Sequence, residues 1–419
     1  MVIHALRAFR HRNFRLFFYG QSISLLGTWI QQVAMAWLVY RLTASPFLLG
    51  LTAFASQIPI LLLAPFGGLW ADHFDRRKLL LWTQIGAMLQ GIALGALAYS
   101  SLLRPWHIVV MAALLGVIMA LDTPIRQSFL PQMVPAREDL ASALAFNGVM
   151  QNAGRMIGPT IAGLLIAQSS EAFCFVVNGV SKAAVIGAII AMRLPSGPRP
   201  RATPAIKRGL IEAARYCWEL VPIRLLLPLI ALASLTAMPY QTLMPIFAKE
   251  VHGGGADTLG WLLGASGLGG TLALIVLAAR SNVRGLTGFV LGGFMLTGGA
   301  LLVFSYSPIF WLSLVTMGLT GAGLIAIAMS TNTIFQTIVD DTMRGRVMSF
   351  YTAAFLGIAP LGSLIAGSLA HVIGAHHTLA LGGVACLLSG LWLWRERPRL
   401  RSHIRPIYQR LGIGEEMPR

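Results

Sequence analysis

Charge is scarce in this chain. Only 11% of its 419 residues are charged, against 56% hydrophobic, and a soluble protein of this size has no means of burying so much apolar surface. Cysteine is scarcer still. Cys174, Cys217 and Cys386 are the complete set; their wide separation fits no metal or redox spacing, implies no disulfide framework, and suits small apolar fillers. Also missing are a phosphate-binding glycine loop followed by lysine, a His/Cys metal cluster and a nucleophile constellation. His376 and His377 are adjacent but stand near an exit loop, where solvation is expected. The sequence therefore offers no catalytic residue, no metal ligands and no cofactor site, and an enzyme is not expected.

What the chain has in abundance is apolar runs of about 20 residues, each long enough to cross ~30 Å of hydrocarbon. Twelve are predicted, near 16–40, 47–70, 79–101, 106–131, 141–166, 172–192, 225–248, 258–279, 285–305, 308–335, 346–372 and 376–394. The 44 glycines and 21 prolines would oppose long helices in water but are tolerated in membrane helices, where small residues allow close packing. The basic start "MVIHALRAFRHRNFR" leads directly into a run too long for a cleaved signal core, so the first helix is expected to stay in the membrane.

The net charge of +17 raises nucleic-acid binding, and the placement of the bases argues against it. Of 32 bases, 26 fall on the side that holds the N-terminus, and only Arg41, Arg104 and Lys249 on the other. The positive-inside rule accounts for this bias with both termini in the cytoplasm of a plasma (inner) membrane protein.

The longest polar break divides the spans six and six. The expected organisation is an N-terminal six-helix bundle over 1–192, a cytoplasmic linker over 193–224, a C-terminal six-helix bundle over 225–394 and a basic cytoplasmic tail over 395–419. The linker begins "RLPSGPRPRATPAIK" and continues "GLIEAARYCWELV", where Leu210, Ile211, Ala214 and Trp218 share one helical face; a short helix along the inner membrane surface is predicted. Shifting the sequence by 204 residues aligns Gln132 with Gln336, Phe146 with Phe350, Gly158 with Gly362 and Gly163 with Gly367. The fold class is thus all-α integral membrane, with two pseudo-symmetric six-helix bundles around a central cavity.

At the break after the second span stands "GGLWADHFDRRK". Gly67 and Gly68 permit close helix approach, Asp72 can accept from helix amides or pair with an arginine, and Arg76, Arg77 and Lys78 follow at once. This pattern resembles the loop signature of the major facilitator superfamily, with His73 and Asp75 as departures. The resemblance implies a conformational latch between the bundles at Gly67, Gly68, Asp72, Arg76, Arg77 and Lys78. In the fifth span "GRMIGPTIAG" resembles the glycine–proline signature of proton-coupled antiporters in that superfamily, which implies a helix-packing gate at Gly154, Gly158, Pro159 and Gly163. The run "LDTPIRQSFLPQMVPAREDLASALAFNGVMQNAGRMIGP" resembles the enterobactin exporter and macrolide efflux branch, the transmembrane secretion effector type. That implies a functional monomer exporting a siderophore, drug or other amphiphilic small molecule against protons.

Charges within spans are functional candidates by default. Asp122 and Arg126 lie four apart on one helical face and are expected to pair, and Arg155 on the adjacent span is expected to join them. Asp122 is the candidate proton carrier, since protonation would release its partner; a purely structural pair is the alternative. Lys182, in a span expected at the bundle periphery, is read as structural. For the substrate cavity the candidates are Gln21, Thr28 and Gln32 on the first span, Tyr240 and Gln241 on the seventh, and Asn332 and Gln336 on the tenth. Amides and aromatics of this kind suit a large, moderately polar ligand. Two other functions stay open at this point: a lysophospholipid or other lipid flippase of the same superfamily, handling membrane lipid, and a transport-inactive membrane sensor.

Overall fold

The computed structural model describes residues 6–100, 102–134, 136–193, 206–280 and 282–411. The first half holds six helices: α1 (Arg12–Thr43), α2 (Pro46–His73), α3 (Arg76–Tyr99), α4 (Pro105–Met133), α5 (Arg137–Gln168) and α6 (Glu171–Ala191). A short amphipathic helix, α7 (Ile206–Glu219), follows where the linker helix was expected. The second half continues with α8 (Val221–Thr236), α9 (Tyr240–Ile246), α10 (Ala256–Ala278), α11 (Leu286–Tyr306), α12 (Phe310–Ile338), α13 (Asp341–Thr352), α14 (Ala359–Ile373) and α15 (Ala375–Arg410).

α8 with α9, and α13 with α14, are each one span interrupted. Pro239 stands at the first break, and Pro245 precedes a π turn over Phe247–Val251. A second π turn, Ala353–Gly357, precedes Pro360. Proline removes one backbone donor and clashes with the preceding turn, so the helix widens or parts there. Among the described residues eleven helical stretches are long and apolar enough to cross a membrane. The twelfth span is α5, which has the length, 32 residues, but carries Asn147, Gln151, Asn152 and Arg155. The protein is an all-α, twelve-span membrane protein.

The internal repeat is visible in the helix starts. α1, α2 and α3 begin at 12, 46 and 76, and their counterparts α8, α10 and α11 at 221, 256 and 286; α4, α5 and α6 begin at 105, 137 and 171, and α12, α13 and α15 at 310, 341 and 375. Every displacement falls between 204 and 210. Packing repeats as well: α1 on α6 and α3 on α6 in the first half correspond to α8 on α15 and α11 on α15 in the second.

Two compact units result, one formed by Met1–Thr203 with Thr242–Gly267 and the other by Pro204–Gln241 with Leu268–Arg419. In the first, an aromatic cluster closes the end that carries the N-terminal bases. Phe9 meets Phe14 and Phe146 edge to face, with ring centres 5.4 and 4.8 Å apart, and Leu80, Phe129 and Ile189 are buried around them. Such ring pairs stabilise by about 0.5–1.5 kcal/mol beyond their buried area. In the second unit α7 is held to α13 by Tyr216, whose hydroxyl donates to Asp340 Oδ2 at 3.1 Å, and by Arg346 to Glu212 at 3.0 Å.

Residues 395–410, which begin the segment expected as a basic tail, are helical. α15 runs through them without a stop, for 36 residues.

Candidate functional site

The first unit buries a set of charges in the middle of its helices. Asp122, on α4, is 2% exposed. Its Oδ1 accepts from Thr83 Oγ1 at 2.9 Å and Gln84 Nε2 at 2.6 Å, both on α3, and its Oδ2 accepts from Arg126 Nε at 3.3 Å. The helical spacing of four residues puts Asp122 and Arg126 on one face, and α3 packing on α4 supplies the neutral donors. One cation and two neutral donors thus satisfy the two carboxylate oxygens.

Lys182, on α6, is also 2% exposed. It does not snorkel to an interface. Its Nζ donates to Thr28 Oγ1 at 2.7 Å and to Ser24 Oγ at 2.9 Å on α1, and lies within electrostatic reach of both Asp122 and Arg126. Small residues make this approach feasible: a side chain at Gly27 would collide with Ser181 and Asn178, and one at Gly20 would meet Ala188 at 2.9 Å. Further along the same seam Asn178 Nδ2 donates to Gln31 Oε1 at 2.5 Å, Gln31 Nε2 to Gln90 Oε1 at 2.8 Å, and Gln90 Nε2 to the Met111 carbonyl at 3.0 Å. Polar groups of α1, α3, α4 and α6 thus form a buried line. Among its members Gln84 Oε1 and Asn178 Oδ1 are acceptors with no protein donor among the described residues.

Two expected placements differ. Among the described residues no hydrogen bond or ion pair links Arg155 to Asp122 or Arg126: α5 packs mainly on α1, and Lys182 of α6 stands in the electrostatic field of that pair. Thr28, expected toward a substrate cavity, faces α6 and accepts from Lys182. The periodicity of α1 separates a polar face from an apolar one but does not say what the polar face meets. The other cavity candidates fall in both units. Gln21 is buried and Gln32 exposed on α1; in the second unit Gln241 Nε2 donates to the Tyr240 hydroxyl at 3.1 Å, and Gln336 Nε2 to Asn332 Oδ1 at 2.6 Å.

Gly154, Gly158 and Gly163 of α5 sit at close contacts within the first unit. Gly154 and Gly158 lie over Leu25 and Trp29 of α1. A Cβ on Gly163 would stand 2.9 Å from Gly260 Cα, and one on Gly260 would stand 2.8 Å from the Pro159 carbonyl oxygen. Backbone meets backbone there, with Thr160 Oγ1 donating to the Gly260 carbonyl at 3.4 Å.

At the α2–α3 turn, Arg76 Nη1 donates to the Ser128 carbonyl at 3.1 Å and Arg77 Nη2 to the Ile190 carbonyl at 2.8 Å, fastening the ends of α4 and α6 within the same unit. Lys78 is exposed. The side chains of Gly67, Gly68 and Asp72 lie outside the described residues. Asp75, read from sequence only as a departure from a motif, caps α3: its Oδ1 accepts from the amides of Arg77 at 2.9 Å and Lys78 at 3.3 Å. An Asp immediately before a helical run is the signal that would have found it.

The opposite ends of α1 and α6 are pinned as well. Arg41 Nε lies 2.8 Å from Glu171 Oε1. The neighbouring Tyr40 hydroxyl donates to Glu250, and Lys249 Nζ stands 5.8 Å from the centre of the Tyr40 ring.

Comparison with known proteins gives these features a family. The chain is 27% identical to the staphyloferrin A transporter of Staphylococcus aureus over 390 residues, 89% of this chain and 93% of that one. It is 27% identical to the multidrug efflux pump Tap of Mycolicibacterium fortuitum over 373 residues, 87% and 91% of the two chains. Its fold is similar to that of a solved peptide transporter POT, with a TM-score of 0.75 over 94% of this chain and 96% of that one at 13% identity. The model of the transmembrane secretion effector family matches residues 3–403. With twelve spans, a duplicated helix order and that match across nearly its whole length, the chain belongs to the transmembrane secretion effector family of major facilitator superfamily transporters.

Proposed function

We propose that the protein is a proton-coupled exporter of an amphiphilic small molecule of the siderophore or drug-like kind. It works by alternating access, resides in the plasma (inner) membrane and keeps both termini in the cytoplasm. The buried Asp122, with Arg126 and Lys182 as its cationic surroundings, is the observation that carries the reading. A carboxylate is the group in this cluster that can lose its charge by taking up a proton, and doing so removes the hold on Arg126. The relatives' activities, a siderophore transporter and a multidrug efflux pump, support the substrate class. Gln21, Gln32, Tyr240, Gln241, Asn332 and Gln336 are the residues proposed to meet substrate, with Gly67, Gly68, Asp72 and the bases at 76–78 as the latch and Gly154, Gly158, Pro159 and Gly163 as the gate.

The test uses everted membrane vesicles with an imposed pH gradient and a panel of siderophores and efflux dyes. Wild type accumulates a compound only while the gradient lasts, and Asp122→Asn folds but loses gradient-driven accumulation. Equal accumulation by the variant would remove Asp122 from the coupling role; no gradient dependence in wild type would remove proton coupling.

A further inference from the structure

The helix that starts the third span of each half is treated differently in the two halves. In the first, Asp75 closes the N-terminus of α3 with its carboxylate. The corresponding position before α11, displaced by 210, is Gly285, in the left-handed region with φ 79° and with no side-chain cap. Among the described residues no carboxylate caps the first turn of α11 or lines the cavity at the positive end of its dipole.

Arginines surround that turn. α15 has 36 residues, or about 54 Å at ~1.5 Å each, well beyond the ~30 Å of a hydrocarbon core. Its last turns carry Arg397, Arg401 and Arg405 at steps of four, hence on one face. Together with Arg284 they line a cavity of about 770 Å³ that also includes Gly285, Leu286 and Thr287 at the start of α11. No acidic side chain lines it among the described residues. Arg397 is half-buried, and its Nε is a buried donor with no hydrogen-bond partner among them, which a bound anion would satisfy. The turn itself is fixed: Arg280 Nη2 donates to the Arg284 carbonyl at 2.9 Å, and Asn282 Oδ1 accepts from the Arg284 amide at 2.9 Å.

The lining also has an apolar side. Trp394, Ile404 and Tyr408 share the cavity with the arginines, and Trp394 is largely exposed where the apolar part of α15 gives way to the basic part. Tryptophan at such a junction marks the headgroup level of a bilayer. We infer that this cavity binds the phosphate headgroup of an anionic membrane lipid, the phosphate lying between the N-terminus of α11 and the arginine face of α15 and supplying the negative charge that Asp75 supplies in the first half. Fork-shaped guanidinium donors and helix amides are both suited to phosphate oxygens. A soluble phosphate ester offers the same chemistry without the acyl chains.

Native mass spectrometry of the full chain, released from nanodiscs of mixed phosphatidylcholine and phosphatidylglycerol, decides the matter. The variants are Arg397→Gln/Arg401→Gln/Arg405→Gln and Arg401→Gln alone, with Arg399→Gln as a charge control, since Arg399 pairs with Glu396 and does not line the cavity. Wild type and the control retain phosphatidylglycerol in preference to phosphatidylcholine, and the triple variant retains at least about tenfold less. Should the triple variant not fold, Arg401→Gln shows the same loss to a smaller degree. Persistence of the lipid in millimolar inorganic phosphate or glycerol phosphate identifies lipid as the occupant; displacement by either supports the anion site but overturns lipid in favour of the soluble ester. Equal phosphatidylglycerol retention by wild type and a folded arginine variant, or no preference over phosphatidylcholine, overturns the inference.

Discussion

Lys182 crosses from α6 to α1 to place its Nζ 2.7 Å from Thr28 Oγ1, a buried cation held by neutral oxygens and forming no ion pair among the described residues. Because its direct partners are neutral oxygens and Asp122 keeps its own ion pair with Arg126, its removal leaves no carboxylate without a partner. Lys182→Met, which keeps the aliphatic stem, is expected to change stability by less than about 1.5 kcal/mol. Transport in vesicles is expected to fall by about tenfold or more if the charge belongs to the coupling cluster. Wild-type transport by the variant would leave Lys182 a packing residue.

Arg126 is the opposite case. Arg126→Met leaves Asp122 buried with only Thr83 and Gln84 as donors, and the expected loss is about 3–5 kcal/mol. Adding Asp122→Asn removes the uncompensated charge and should recover most of that loss. Thermal unfolding in one detergent compares the three proteins, and additivity of the two substitutions would contradict the pair.

The contact of α5 with the first part of α10 predicts intolerance of volume. In Gly163→Val and Gly260→Val the new side chain meets backbone, not a flexible tip, and each is expected to cost about 1–3 kcal/mol. Gly187→Ala, at a position with nothing within 4 Å, is the comparison and should leave the melting temperature within a degree or two.

Asp75→Ala should destabilise by about 1 kcal/mol through loss of the cap on α3, and Asp75→Asn by much less, because an amide oxygen still accepts from the Arg77 and Lys78 amides. Calorimetry on the purified protein separates a cap from a charge effect: equal losses in the two variants would mean that the carboxylate acts by charge.

Attachment of α7 should not depend on pH between 6 and 9 and should weaken in alkali. Burial pushes the Tyr216 hydroxyl above its ordinary value of 10.0, with Asp340 beside it. The folded form therefore favours the protonated phenol, and its contribution is complete below pH 10 and lost as pH rises through the raised value. Amide exchange across 206–219, followed from pH 6 to 9, should show no change in protection beyond the intrinsic rate. Tyr216→Phe should speed it several-fold at every pH, whereas Glu212→Gln, which removes an exposed ion pair with Arg346, should have little effect.

Much was legible in the chain itself because a bilayer imposes simple rules. With no water to satisfy a peptide group, apolar runs of sufficient length become helices; the twelve spans, the amphipathic α7 and the duplication all follow from pattern and spacing alone. The Asp122–Arg126 pair was also readable, since four residues of one helix fix its geometry. Side-chain partners between helices were not. Hydropathy gives the face of a helix but neither its neighbour nor its rotation, so Lys182 on Thr28, Gln31 between Asn178 and Gln90, and Arg155 apart from Asp122 required the packing. The basic segment after Arg395 illustrates the same limit: composition marks it as lying outside the hydrocarbon, but only the tertiary structure continues it as a helix and sets its arginines beside the uncapped start of α11. Local sequence determines which segments cross the membrane, whereas the meeting of charges depends on contacts between residues a hundred or more apart, which no local preference encodes.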